Sequence, residues 1–134
     1  MSKAINIVAT AVTPGVYFNA ENNVLEISGR SIPLNPEKFW SPVMSWFIRN
    51  SYQNQEISIS LNFDYLNSGS QKFLVSLLKL LKESKDKGVL SENRIIWNYQ
   101  DYDEDMRETG QDFEFVSGLK FEFNELNDEI SEAA

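Results

Sequence analysis

The sequence predicts an α/β domain in which helices pack on a single mixed β-sheet, and three observations lead there. Strict alternation in Ile57-Ser58-Ile59-Ser60-Leu61-Asn62-Phe63 marks a strand with one buried face. Phe73, Leu74, Leu77, Leu78 and Leu81 recur at the spacing of a helix with one buried stripe. The two patterns take turns through the middle of the chain, and strand–helix–strand–helix order favours a sheet covered by helices.

Ile5 to Ala11 is β-rich and short, and Thr13-Pro14-Gly15 punctuates it. Val16-Tyr17-Phe18 and Val24-Leu25-Glu26-Ile27 flank the turn-forming run Asn19 to Asn23, which reads as a hairpin. Asn35 is a plausible helix cap and Pro36 suits a first turn, where its missing N–H costs nothing. Phe39, Val43, Trp46 and Phe47 then carry an amphipathic helix to about Asn50. The alternating strand between Glu56 and Phe63 follows, then the leucine-rich helix, which Gly88 ends. Arg94 to Tyr99 is a further strand, Asp103 to Thr109 a short helix, and Leu119 to Phe123 alternates like a last strand. Residues 1–126 are expected to form one domain and 127–134 an acidic, frayed tail.

Composition narrows the function. With 42% apolar and 13% aromatic residues, 134 residues suffice for one core. The chain has no histidine and no cysteine, which removes Ser-His-Asp and Cys-His nucleophile systems, thiolate metal sites and disulfides. No catalytic residue, cofactor or metal is expected. A formal charge of −8 repels a phosphate backbone, so nucleic acid is not an expected partner. No stretch has the length and apolarity to insert in a membrane, and Met1-Ser2-Lys3-Ala4 does not look like a secretory signal, so a cytoplasmic protein is expected.

The informative segment is Leu61 to Lys72, where a strand leaves the sheet and a helix begins. Ser68 and Gln71 have the spacing of a capping box, in which the hydroxyl takes a free backbone N–H and the amide reaches back. On spacing alone Ser68 is a plain cap. The same geometry also suits a phosphate, which would meet unpaired N–H groups and the positive end of the helix dipole.

A resemblance favours the second reading. Ile7-Val8-Ala9-Thr10, Thr13-Pro14, Val16 to Asn19, Leu25 to Gly29, and Phe39-Trp40-Ser41-Pro42-Val43 with Trp46 resemble the SiaC family. Leu61 to Ser68, Trp97-Asn98-Tyr99 and Asp103 to Gly110 continue the resemblance in order. It implies a fold similar to the STAS domains of anti-sigma-factor antagonists, with a phosphorylatable hydroxyl at the start of the helix after a central strand. It further implies phosphorylation by a serine/threonine kinase with a histidine-kinase-like ATPase fold and removal of the phosphate by a PP2C-type phosphatase. The unmodified protein is then expected to bind and activate a diguanylate cyclase, raising cyclic di-GMP and promoting aggregation and biofilm. Ser68 aligns with the switched position, where the family often carries threonine, and Ser70 is a rival two residues away. The partner-facing residues are expected to be Asn67, Ser68, Gly69, Ser70, Gln71 and Lys72, with Gly69 freeing the backbone for access. The competing reading is a constitutive protein-binding or small-ligand module in which Ser68 only caps a helix.

Other motifs carry less. Asp101, Asp103 and Asp105 fall at the first, third and fifth positions of a calcium loop and Asp112 at the twelfth, but Met106 stands where glycine is needed. Asp101 to Glu108 reads either as a solvated helix start or as an acidic docking edge for a basic partner. Glu37, Glu56 and Asp64 could pair in space as an acid and base for glycoside chemistry, but nothing in the sequence fixes their separation. Trp40, Trp46 and Trp97 sit on apolar faces and are expected in the core.

Overall fold

A computed structural model describes residues 4–51, 57–87 and 94–127. Among these are six strands, β1 (Asn6–Ile7), β2 (Gly15–Asn19), β3 (Val24–Ser31), β4 (Ser58–Leu66), β5 (Ile95–Gln100) and β6 (Phe121–Leu126). Three helices accompany them, α1 (Pro36–Ser51), α2 (Ser68–Asp86) and α3 (Glu104–Ser117). The strands form one mixed sheet in chain order: β1, β2 and β3 pair antiparallel, and β3 to β6 pair parallel. Each parallel step is bridged by one helix, as a parallel pair requires.

The expected α/β architecture is thus observed, and the helices share one layer. Trp40, Val43, Trp46 and Phe47 of α1, Leu74, Leu77, Leu78 and Leu81 of α2, and Met106 and Phe113 of α3 enter one core. The sheet's inward residues, from Val16 and Phe18 through Leu25, Ile27, Ile59, Leu61 and Trp97 to Phe121, meet them there. The other face carries Tyr17, Glu26, Ser28, Ser60, Asn62, Asn98 and Asn124, none of them buried. That one-sided burial explains why β4 alternates so strictly.

Differences from the sequence reading have local causes. The first strand is only Asn6–Ile7, because Thr10 Oγ1 accepts from the backbone N–H groups of Val12 and Thr13 and turns the chain. Asn35 caps α1 as expected, its Oδ1 accepting from Lys38 N–H at 3.2 Å. Helix α3 does not stop near Thr109 but runs through Gly110 to Ser117. The glycine is a packing site: a Cβ on Gly110 would lie 2.4 Å from Trp97 Nε1. That indole donates to Met106 O at 2.9 Å and packs against Phe63, Phe113 and Phe121. All three tryptophans are buried. Gly88, Glu56 and residues 128–134 of the acidic tail lie outside the described residues.

One irregularity phases the end of β4. Gly29 pairs with Phe63 but Arg30 pairs with Tyr65, so Asp64 is an extra residue on β4, and Gly29 takes φ +115° opposite it. A shift of one residue reverses which side chains face inward. Phe63 and Leu66 therefore point toward the core side, while Tyr65 turns out and lies 4.7 Å beneath the Arg30 guanidinium.

Candidate functional site at the start of α2

Ser68 is the first residue of α2, and its side chain is exposed. It is not the cap. Asn67, in extended conformation (φ −79°, ψ 168°), holds that place, and its Oδ1 accepts from Ser70 N–H at 2.9 Å. The expected capping box is corrected accordingly, because Gln71 Nε2 donates to Leu66 O at 3.3 Å. Asn67 is held there from two further directions. Its backbone N–H donates to Ser31 O at 2.9 Å and its Nδ2 to Pro33 O at 3.2 Å.

The rival site Ser70 is turned inward and is 0% exposed. Its Oγ lies 2.7 Å from Ser31 Oγ, which also accepts from Trp40 Nε1–H at 3.3 Å. A phosphoryl group on Ser70 would occupy the core beside Trp40, and a partner cannot touch this side chain, so both expectations for Ser70 are corrected by its burial. Gly69 also has a different role from the one expected. A Cβ there would sit 2.5 Å from Pro36 Cγ, so the glycine lets the start of α1 pack on the start of α2. Of the remaining expected partner-facing residues, Lys72 is exposed and Asn67 and Gln71 are half-buried.

Electrostatics favour an anion at Ser68. The first turn of α2 carries no acidic residue, whereas the first turn of α3 carries Glu104 and Asp105. The positive end of the 19-residue helix α2 thus has no carboxylate of its own.

Ser68 also opens a groove of about 550 Å³ between α2 and α3. Lys72, Val75 and Lys79 line it from α2, and Asp112, Phe113 and Val116 from α3. The sequence reading did not bring this set together: it named Lys72 beside Ser68 and Asp112 only in a calcium-loop pattern. The signal was present in the spacing, since residues 68, 72, 75 and 79 form one helical stripe beside the leucines. A second cavity, of about 580 Å³, lies where β3, β4 and β5 end, bounded by Arg30, Asp64, Tyr65, Gln100, Tyr102 and Asp105.

The acidic segment is partly occupied with holding α3 together. Asp103 Oδ1 accepts from Met106 N–H at 3.0 Å as the helix cap, and Glu104 pairs with Arg107 at 2.6 Å. Those two bonds fit the solvated-helix-start reading, with Asp103 as the cap and Glu104 beside Arg107. Asp64 stands at the bulge and Glu37 in the first turn of α1, and Glu37 does not line the cavity that Asp64 borders.

Residues 7–126 match the family described as SiaC family regulatory phosphoprotein. An uncharacterised protein of Pseudomonas aeruginosa strain UCBPP-PA14 is 27% identical over 110 residues, covering 81% of this chain and 86% of that protein. The fold is similar to a chain in the crystal structure of the diguanylate cyclase SiaD in complex with its activator SiaC from P. aeruginosa, with a TM-score of 0.80 at 24% identity over 92% of this chain and 98% of that one. It is similar to P. aeruginosa SiaC in its apo form as well, with a TM-score of 0.71 at 25% identity over 93% of this chain and 98% of that one.

Proposed function

The chain belongs to the SiaC family of regulatory phosphoproteins, and on that premise we propose that it is a cytoplasmic partner-switching regulator, not an enzyme, whose switch is phosphorylation of Ser68. In its unmodified form it binds and activates a diguanylate cyclase. A phosphoryl group on Ser68 ends that engagement, by adding roughly −1.5 to −2 charges to the docking surface at neutral pH.

The observation that carries this reading is the contrast between two serines two positions apart. Ser68 offers its hydroxyl to solvent at the positive end of α2, while Ser70 is closed off in the core. Support for the partner comes from the fold, which is shared with an activator of a diguanylate cyclase. A kinase with a histidine-kinase-like ATPase fold and a PP2C-type phosphatase complete the cycle that the family resemblance implies.

Phosphopeptide mapping of the protein purified from its native host, before and after treatment with a PP2C-type phosphatase, tests the modification. A phosphatase-sensitive phosphoryl group on Ser68 is expected. Its absence across growth conditions, or its appearance only elsewhere in the chain, would overturn the reading. Co-purification of a diguanylate cyclase with the unmodified protein, and its loss from the phosphorylated form, tests the partner.

A further inference from the structure

We propose that the groove between α2 and α3 seats an amphipathic helix of the partner carrying two carboxylates one heptad apart, and that Lys72 is contested between that helix and a phosphoryl group on Ser68. The proposal rests on Ser68 being the switched residue and adds the chemistry of the surface around it.

The charge pattern of the groove selects the occupant. The chain as a whole carries a formal charge of −8, yet the α2 wall presents Lys72 and Lys79, both exposed. Neither forms an ion pair with a described residue, whereas Lys82, Arg94 and Arg107 each do. Seven residues separate the two lysines, which is two helical turns and about 10.5 Å along the axis. Carboxylates spaced by seven on a helix laid along the groove meet both. Between the lysines, half-buried Val75 faces Val116, which is 56% exposed, and these offer an apolar strip for the same helix. Asp112 on the α3 wall confines the partner's carboxylates to the lysine side and so sets its orientation.

The switch follows from spacing within α2. Ser68 and Lys72 are four residues apart, so a phosphate on Ser68 and the ammonium of Lys72 are neighbours on one face of the helix. The phosphate draws Lys72 away from the partner's carboxylate and repels that carboxylate directly. Lys79 lies beyond its reach, so the modification weakens one end of the contact and leaves the other.

The probe is a synthetic amphipathic helical peptide with glutamates at positions i and i+7 flanking leucines, titrated into the full-length isotope-labelled chain and followed by NMR. The control peptide has lysine in place of both glutamates. The glutamate peptide is expected to perturb Lys72, Val75, Lys79 and Val116, and Lys72→Gln and Lys79→Gln are each expected to weaken it about two- to fivefold. Phosphoserine incorporated at position 68 is expected to weaken it more than Lys72→Gln does. Equal binding of the two peptides, or perturbations centred away from the groove, would overturn the occupant.

Phosphorus NMR on the phosphoserine-68 protein tests the contest for Lys72 without any peptide. The second ionisation is expected at lower pH in the parent than in Lys72→Gln, and unchanged in Lys79→Gln. Coincident curves for the parent and Lys72→Gln would overturn it. The two readings fail separately. A chain never phosphorylated on Ser68 in cells loses the switch but keeps the groove, and a working switch indifferent to both lysines loses only the groove.

Discussion

The hydroxyls of Ser31 and Ser70 lie 2.7 Å apart in the core, although the residues are 39 positions apart in the chain. This bond, with Trp40 Nε1–H donating to Ser31 at 3.3 Å, ties the first turn of α2 to the end of β3 and leaves Ser68 as the hydroxyl that faces out. Ser70→Ala is expected to cost about 1–2 kcal/mol in urea unfolding. Because Ser31→Ala removes the same bond, the double variant is expected to lose less than the sum of the two. Full additivity would show that the two hydroxyls are not coupled.

Asn67 and Ser68 separate the roles of cap and exposed hydroxyl. Asn67→Ala removes the acceptor for Ser70 N–H and the donor to Pro33 O, and is expected to cost about 1–2 kcal/mol. Ser68→Ala removes neither and is expected to change stability by less than about 0.5 kcal/mol. Chemical denaturation of both variants decides the matter, and a larger loss from Ser68→Ala would restore it as the cap.

Two glycines hold geometry that other residues cannot. Gly110→Ala places a methyl 2.4 Å from Trp97 Nε1 and is expected to lower stability by about 1–3 kcal/mol, although alanine is the better helix former by about 1 kcal/mol. The near-ultraviolet circular dichroism of Trp97 is expected to change with it. Gly29→Ala forces a side chain onto φ +115° at the bulge and is expected to cost about 1–3 kcal/mol, read as a lowered melting temperature. A variant at either position as stable as the parent would contradict the packing or the bulge described above.

Arg94 and Glu122 lie on the open face of the sheet, with Arg94 Nε and Nη2 donating to the two carboxylate oxygens at 2.6 Å. Those hydrogen bonds hold the Glu122 carboxyl below the ordinary carboxylate range. A carboxyl whose folded pKa is depressed contributes stability that is present above its unfolded pKa and is lost as pH falls through the folded one. The stability difference between the parent and Glu122→Gln is therefore expected at neutral pH and to shrink in acid. Both side chains are well exposed, so the difference is small and falls further with added salt. A difference that grows on acidification would contradict the pairing.

How much could be read in advance depended on whether the cause was local. The alternation of β4, the leucines of α2 and the Asn35-Pro36 start of α1 were legible because each is a property of its own segment. The length of α3 was not. Gly110 looks like a stop until Trp97 is brought against it from β5. The cap of α2 was likewise hidden, because asparagine and serine cap equally well and the choice between Asn67 and Ser68 falls to the bulge in β4 and to bonds from Ser31 and Pro33.

By itself the sequence determined the order of strands and helices and the absence of histidine and cysteine chemistry. These follow from residue type and from periodicity, which a chain carries whether or not it is folded. The tertiary structure alone decided which serine faces water and which faces Trp40, that Gly69 serves Pro36, and that Lys72 and Lys79 share a groove with Asp112 and Val116. Those outcomes depend on which distant residues arrive at the same place. A one-residue shift at Asp64 is enough to exchange the inside and the outside of everything after it in the strand.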